Sequence, residues 1–164
     1  MVTLDIDSII QILILSVISL QLFVLNKTFK ADHERRKKQS TVEYINKIRR
    51  YYREVTNKLI DEFGDNAINL DQINATVRND IKELLSVLEH MSTGVNTGVY
   101  DFEILNRMSG SFLVSRYHQL YPYISHAQRK NPTFYIEFDR LCKIIENKKK
   151  AKYESNEGNI KHSC

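Results

Sequence analysis

Nineteen consecutive residues, Ser8 to Asn26, carry no charge, and thirteen of them are Ile, Leu, Val or Phe. At about 1.5 Å per residue, a helix over this stretch covers roughly 28 Å, close to the ~30 Å hydrocarbon thickness of a bilayer. Each branched or aromatic apolar residue contributes about −0.3 to −0.6 kcal/mol on an insertion scale, which together outweighs Ser8, Gln11, Ser16, Ser19 and Gln21. The apolar residues fall on every side of such a helix rather than along one stripe, unlike those of a soluble core helix. A cleaved signal peptide needs a basic start and small residues at its end. This chain has Asp5 and Asp7 before the stretch and Val24-Leu25-Asn26-Lys27 after it. The expectation is a membrane-spanning helix over residues 8–26.

Residues 27–38 carry Lys27, Lys30, Arg35, Arg36, Lys37 and Lys38, whereas residues 1–7 carry no Lys or Arg. Positive flanks stay in the cytoplasm, so residues 1–7 are expected outside and residues 27–164 inside. Anionic headgroups attract each nearby cation by about 1 kcal/mol, within a Debye length of about 8–10 Å. If the collar continues the membrane helix, Lys38 stands roughly 18 Å beyond the hydrocarbon edge. Lys27 and Lys30 then reach lipid directly, and the Arg35–Lys38 group does so only where the helix bends along the surface. Charge is unevenly spread beyond the span: 11 Lys or Arg against 4 Asp or Glu over residues 27–60, and 3 against 9 over residues 61–110. The net charge of +4 hides this asymmetry.

The remaining chain has the size of one domain, and it reads as helices throughout. Ser40-Thr41-Val42-Glu43 matches a capping box, so a helix is expected to begin or restart near Thr41. Ile45, Ile48, Tyr52, Val55, Leu59 and Phe63 share one face of it, and Gly64 suits its end. A second helix carries the seam Leu70, Ile73, Val77, Ile81, Leu84, Leu88, Met91 and Val95, spaced for bundle packing. Gly94 and Gly98 mark a turn, and Asp101 can cap a third helix through Phe102, Leu105, Met108, Phe112 and Val114. Tyr121-Pro122 and Asn131-Pro132 place proline where a helix can start, predicting a short helix near 122–130 and a last one near 132–149. Tyr135, Phe138, Leu141, Cys142 and Ile145 give that last helix its buried face. The fold expected is all-α: a single N-terminal transmembrane helix followed by a small cytoplasmic bundle of about four to five helices. The divisions expected are a short extracytoplasmic N-terminus 1–7, the span 8–26, a basic juxtamembrane linker 27–39, the bundle 40–146, and a basic tail 147–164 with too little apolar surface to fold.

Cys142 and Cys164 form neither a disulfide framework nor a zinc pattern. His33, His90, His118, His126 and His162 never occur in H-E-x-x-H, and no Glu precedes a His by three, so hydrolytic zinc and di-iron spacings are missing. None has an Arg at the upstream distance found in helical nucleases. The glycines of Thr93-Gly94-Val95-Asn96-Thr97-Gly98-Val99 lack the spacing and lysine of a phosphate loop, and Ser109-Gly110-Ser111 lacks the context of a nucleophile elbow. Arg49-Arg50-Tyr51-Tyr52-Arg53 interleaves charge and rings like a nucleic-acid surface. Tyr52 nevertheless falls on the apolar face, and Glu43/Lys47, Arg50/Glu54 and Glu54/Lys58 form self-neutralising pairs. No nucleic-acid partner and no cofactor or metal is expected.

Leu88-Glu89-His90-Met91-Ser92-Thr93-Gly94-Val95-Asn96-Thr97-Gly98-Val99-Tyr100-Asp101, followed by Tyr121-Pro122-Tyr123-Ile124 and Pro132-Thr133-Phe134-Tyr135-Ile136-Glu137-Phe138, resembles a bacterial family known only as a domain of unknown function. The resemblance spans nearly the whole chain and implies one N-terminal membrane helix, a basic linker and a helical domain in a bacterial inner (plasma) membrane. It supplies no activity. Glu89, His90, Gly94, Gly98 and Asp101 form the expected functional surface, although a helix-turn-helix packing signature explains the same residues.

The functional expectation is a non-catalytic tether: the span holds the bundle at the membrane, and the bundle engages a protein partner or a second copy. Gln11, Ser8 and Ser19 lie near one side of the span, where side-chain hydrogen bonds of about 1 kcal/mol support self-association. One alternative is a membrane-acting stress or phage-defence effector whose bundle senses a signal and whose spans oligomerise. Another is an enzyme with an unrecognised site, for which Glu89, His90 and Glu103 would have to meet in a cleft.

Overall fold

The computed structural model describes residues 6–161, whose regular elements are all helical with no strand. The element order is α1 (Ile6–Phe63), a 3-10 turn (Leu70–Gln72), α2 (Ala75–Asn96), α3 (Phe102–Lys130) and α4 (Ile136–Lys161). The chain divides into two compact units, Met1–Gln39 and Ser40–Cys164. The expected N-terminal segment 1–7 lies outside the described residues except for Ile6 and Asp7.

In the first unit the helix is apolar and long enough to cross a membrane, and no side chain in its apolar window is buried. Ser16 Oγ donates to the Ile12 carbonyl at 2.8 Å and Thr28 Oγ1 to the Val24 carbonyl at 2.9 Å. Both hydroxyls are thus satisfied within the helix, which lowers the cost of an apolar setting. The side chain of Ser8, part of the expected polar side with Gln11 and Ser19, lies outside the described residues.

The second unit is a bundle formed by residues 40–63 of α1 with α2, α3 and α4. Ile45, Tyr52, Val55 and Leu59 line the buried face of the first helix, and Gly64, at φ 64°, ends it by returning its N–H to the Ile60 carbonyl at 2.7 Å. Val77, Ile81, Leu84, Leu85, Leu88, Met91 and Val95 are buried on α2, which packs on α3 and α4. Leu105, Leu113, Tyr117, Leu120 and Ile124 on α3 and Phe138, Leu141, Cys142 and Ile145 on α4 complete the core. Each such side chain contributes about 1.5–3 kcal/mol by leaving water. Asn74 caps α2, its side chain accepting from Val77 N–H at 2.9 Å.

Five boundaries differ from the sequence expectation. Leu70 and Ile73, expected on the second helix, precede it: Leu70 lies in the 3-10 turn, Ile73 ends that turn, and α2 begins at Ala75 behind its Asn74 cap. No helix restarts at Thr41, because residues 27–39 are already helical. Thr41 is instead buried, and its hydroxyl accepts the Asp101 N–H at 2.8 Å. Pro122 lies inside α3 rather than starting a new helix. Leu113, Tyr117, Leu120 and Ile124 keep one buried face across it, and that burial outweighs the ~3 kcal/mol cost of an interior proline. Pro132 begins no helix either: Asn131 Oδ1 accepts from Thr133 N–H at 3.1 Å and Thr133 Oγ1 at 2.8 Å, folding 131–134 into a turn. Tyr135 then adopts φ 57°, a left-handed conformation costing a bulky residue about 1–3 kcal/mol. Lastly, the segment 147–164, expected to lack structure, continues α4 as far as Lys161, with 162–164 outside the described residues. After Asn147 come Lys148, Lys149, Lys150, Ala151 and Lys152, good helix formers added to an existing helix, so no new nucleus is needed. They are also tied to α3: Lys148 pairs with Glu103 and sits 5.0 Å from the Phe102 ring centre, and Lys149 Nζ donates to Ser111 Oγ at 3.0 Å.

Candidate functional site

Glu89 and Asp101 bracket the α2–α3 turn, and both work as helix caps. Asp101 is the N-cap of α3, accepting the Ile104 N–H at 2.9 Å. Glu89 caps a helix other than its own. Its Oε1 accepts the Glu137 N–H at 3.1 Å and its Oε2 the Phe138 N–H at 2.8 Å, two of the amides that an α4 beginning at Ile136 leaves without intrahelical partners. Asn96 adds a second tie between α2 and α4, its Nδ2 donating to the Glu137 carbonyl at 3.1 Å and to Glu137 Oε2 at 2.6 Å. Helix α4 starts at Ile136 because this is where α2 supplies acceptors for its first turn.

The glycines serve the same joint. A Cβ on Gly94 would collide with the Tyr100 ring, whose N–H reaches the Gly94 carbonyl at 2.9 Å and whose ring stacks on Tyr44 at 4.8 Å. Gly98 has φ 81°, a region that L side chains disfavour, and hands its N–H to the Val95 carbonyl at 3.0 Å. His90 is exposed, its ring 6.3 Å from that of Tyr44. The five expected surface residues therefore divide: Glu89, Gly94, Gly98 and Asp101 build a packed joint, and His90 lies on its rim. Glu103, bound to Lys148, is committed elsewhere than Glu89.

In the basic collar, Lys27, Lys30, Arg35, Arg36 and Lys38 are exposed and Lys37 is half-buried. The rings of the Arg49–Arg53 stretch are engaged by the bundle: Tyr52 stacks on Phe112 at 5.0 Å, and at the surface the half-buried Tyr51 donates its hydroxyl to Glu83 at 2.7 Å. Burial and the Glu83 bond push the Tyr51 phenol up to about 12. Tyr117 is raised by burial and by its bond to Asp139, and burial raises the Cys142 thiol, keeping it protonated and unreactive at neutral pH. Among the described residues no group of three His, Cys, Asp or Glu is placed to hold a metal.

Two polar clusters escaped the sequence reading. Arg116, buried on α3, donates to Gln119 Oε1 at 2.6 Å and to Asp65 Oδ1 at 2.7 Å. Gln119 in turn donates to the Gly64 carbonyl at 2.7 Å, while its own carbonyl accepts the Ile68 N–H at 3.0 Å. Together they fasten the α1–α2 connection to α3. The other cluster is a cavity of about 730 Å³ lined by Leu70, Asp71, Ile73, Arg78, Lys82, Tyr123, His126, Ala127, Lys130, Phe134 and Tyr135. Its one legible sign was the helical spacing of Arg78/Lys82 and of Tyr123, His126, Ala127 and Lys130, which puts each set on one face.

Over residues 5–144 the chain matches a family described as a domain of unknown function, DUF4760. No curated protein and no solved structure matches it.

Proposed function

The chain belongs to the DUF4760 family, and we propose that it is a single-pass, membrane-anchored binding module of a bacterial inner membrane, with residues 1–7 outside and a non-catalytic helical bundle in the cytoplasm. The observation that carries the reading is the exposure of the whole apolar stretch: Leu15 is 63%, Leu20 64% and Phe23 69% exposed, and Ile9 through Leu25 offer no buried side chain. Leaving thirteen such residues in water forgoes on the order of 20–40 kcal/mol at about 1.5–3 kcal/mol each. A bilayer removes this cost on all sides at once. The exposed collar cations beyond the span support the orientation and add attraction to anionic headgroups. The bundle engages a protein partner or a second copy, and Gln11 and Ser19 offer interhelical hydrogen bonds for the latter.

Carbonate extraction of membranes holding the full chain, with intact-mass measurement of the recovered protein, tests the anchor. An unprocessed chain retained in the membrane is the expected result, and release into the supernatant or loss of residues 1–26 overturns it. Protease added outside spheroplasts should leave residues 27–164 intact, and their digestion reverses the orientation.

A further inference from the structure

The 730 Å³ cavity lies within the range of small-molecule sites, roughly 300–1,000 Å³, and four segments wall it: the 3-10 turn, α2, α3 and the turn before α4. Its charge is unbalanced. Arg78 and Lys82 stand one helical turn apart on α2, His126 and Lys130 one turn apart on α3, and Asp71 is the sole carboxylate of the lining. Like charges at that spacing repel. Among the described residues, Arg78, Lys82 and Lys130 form no ion pair. Lys130 has a local reason for its place, since it sits in the last turn of α3, where a cation complements the helix dipole. Arg78 has the opposite relation: it occupies the first turn of α2, which holds no acidic residue, and there the dipole disfavours a cation. An anion held in the cavity would relieve both conflicts. The rest of the lining is aromatic and aliphatic, with Tyr123, Phe134 and Tyr135 on the α3–α4 side, and Tyr135 is the residue kept at positive φ. Strained backbone of this kind clusters at ligand sites.

We propose that this cavity binds a nucleotide, its phosphates against Arg78, Lys82 and Lys130 and its base among Tyr123, Phe134 and Tyr135. A ring stacks on aromatic faces with cation–π support from Arg, and Asp71 supplies an acceptor for ribose hydroxyls or an exocyclic amine. An inorganic anion or a glycerophosphate headgroup would leave the rings unused, and an uncharged aromatic would leave the cations unpaired. The proposal adds a ligand to the bundle and stands whether or not the chain crosses a membrane.

Equilibrium dialysis of the full chain in detergent micelles, at fixed salt, against ATP, GTP, adenosine, pyrophosphate and glycerol 3-phosphate tests it. ATP or GTP should bind at least tenfold more tightly than the ringless anions and than adenosine, and should raise the thermal midpoint. Lys82→Ala and Lys130→Ala, both at exposed positions that leave the core untouched, should each weaken binding about tenfold, and Tyr123→Ala should weaken ATP more than pyrophosphate. Lys58→Ala, whose partner is Asp80, should change nothing. Failure of both nucleotides to bind at millimolar concentration, pyrophosphate or glycerol 3-phosphate binding as tightly as ATP, or affinity unchanged in Lys82→Ala and Lys130→Ala overturns the proposal.

Discussion

Replacing Glu89 by Ala should cost more stability than removing any exposed carboxylate of the bundle. Glu89 accepts two backbone N–H groups of α4, at 3.1 and 2.8 Å. A hydrogen bond to a charged group is worth about 1.5–3 kcal/mol and a helix cap about 0.5–2 kcal/mol. The two bonds share one carboxylate, and the half-buried site leaves water some access to the freed amides, so the expected loss is about 2–4 kcal/mol rather than their sum. Glu89→Gln keeps one acceptor but turns an amide NH₂ toward the other N–H, and about 1–2 kcal/mol should be lost. For a domain of this size 1 kcal/mol moves the thermal midpoint by roughly 2–8 °C. Circular dichroism melts of the full chain in one detergent should therefore place Glu89→Ala well below Glu89→Gln, and Glu89→Gln below wild type. Glu103→Ala, which removes only the exposed pair with Lys148, should cost less than about 1 kcal/mol. A midpoint for Glu89→Ala equal to that of Glu103→Ala would refute the inter-helix cap.

Gly94→Ala should lose about 1–3 kcal/mol through overpacking against Tyr100, seen as a lower urea midpoint with an unchanged slope. Pro122→Ala restores the N–H missing inside α3 and should stabilise by about 1–2 kcal/mol, less than the full ~3 kcal/mol cost of proline because the unfolded chain also regains freedom; a lower melting midpoint would contradict this. Tyr51 is raised above its ordinary 10.0 to about 12, so the folded state holds this proton more tightly than the unfolded one. Its contribution is complete below pH 10 and is lost between about pH 10 and 12. Tyr51→Phe should flatten the fall in stability over that window, as followed by unfolding at fixed urea.

The long apolar N-terminal helix and the α2 part of the second seam were legible because their signals are local. Val77, Ile81, Leu84, Leu88, Met91 and Val95 repeat at helical spacing, and each is buried. Asp101 and Gly64 likewise announce a helix start and stop without help from the rest of the fold. Proline misled where tertiary burial outweighed it, at Pro122, and where an Asx turn used it, at Pro132. Leu120 and Ile124, continuing the face of Leu113 and Tyr117, were the available signal against a break at Pro122. Glu89 stands out in the sequence only beside its neighbour His90, whereas in the fold it caps α4. Its partners lie 48 and 49 residues away, and no spacing rule connects them. The cavity is assembled from four segments, so its charge could be read only once α2 and α3 were face to face.

The anchoring of the α1–α2 connection bears on the order in which the chain becomes structured during synthesis. Gly64 and Ile68 are held by Gln119, the first of these bonds spanning 55 residues. At roughly 5–20 residues per second, the ribosome leaves that connection without its clasp for about 3–11 s. Through this interval α1 and α2 are joined by a slack tether, and their mutual angle is free until α3 arrives. A translational pause before Gln119 would prolong the window in which a protease or a neighbouring nascent chain can reach residues 64–68.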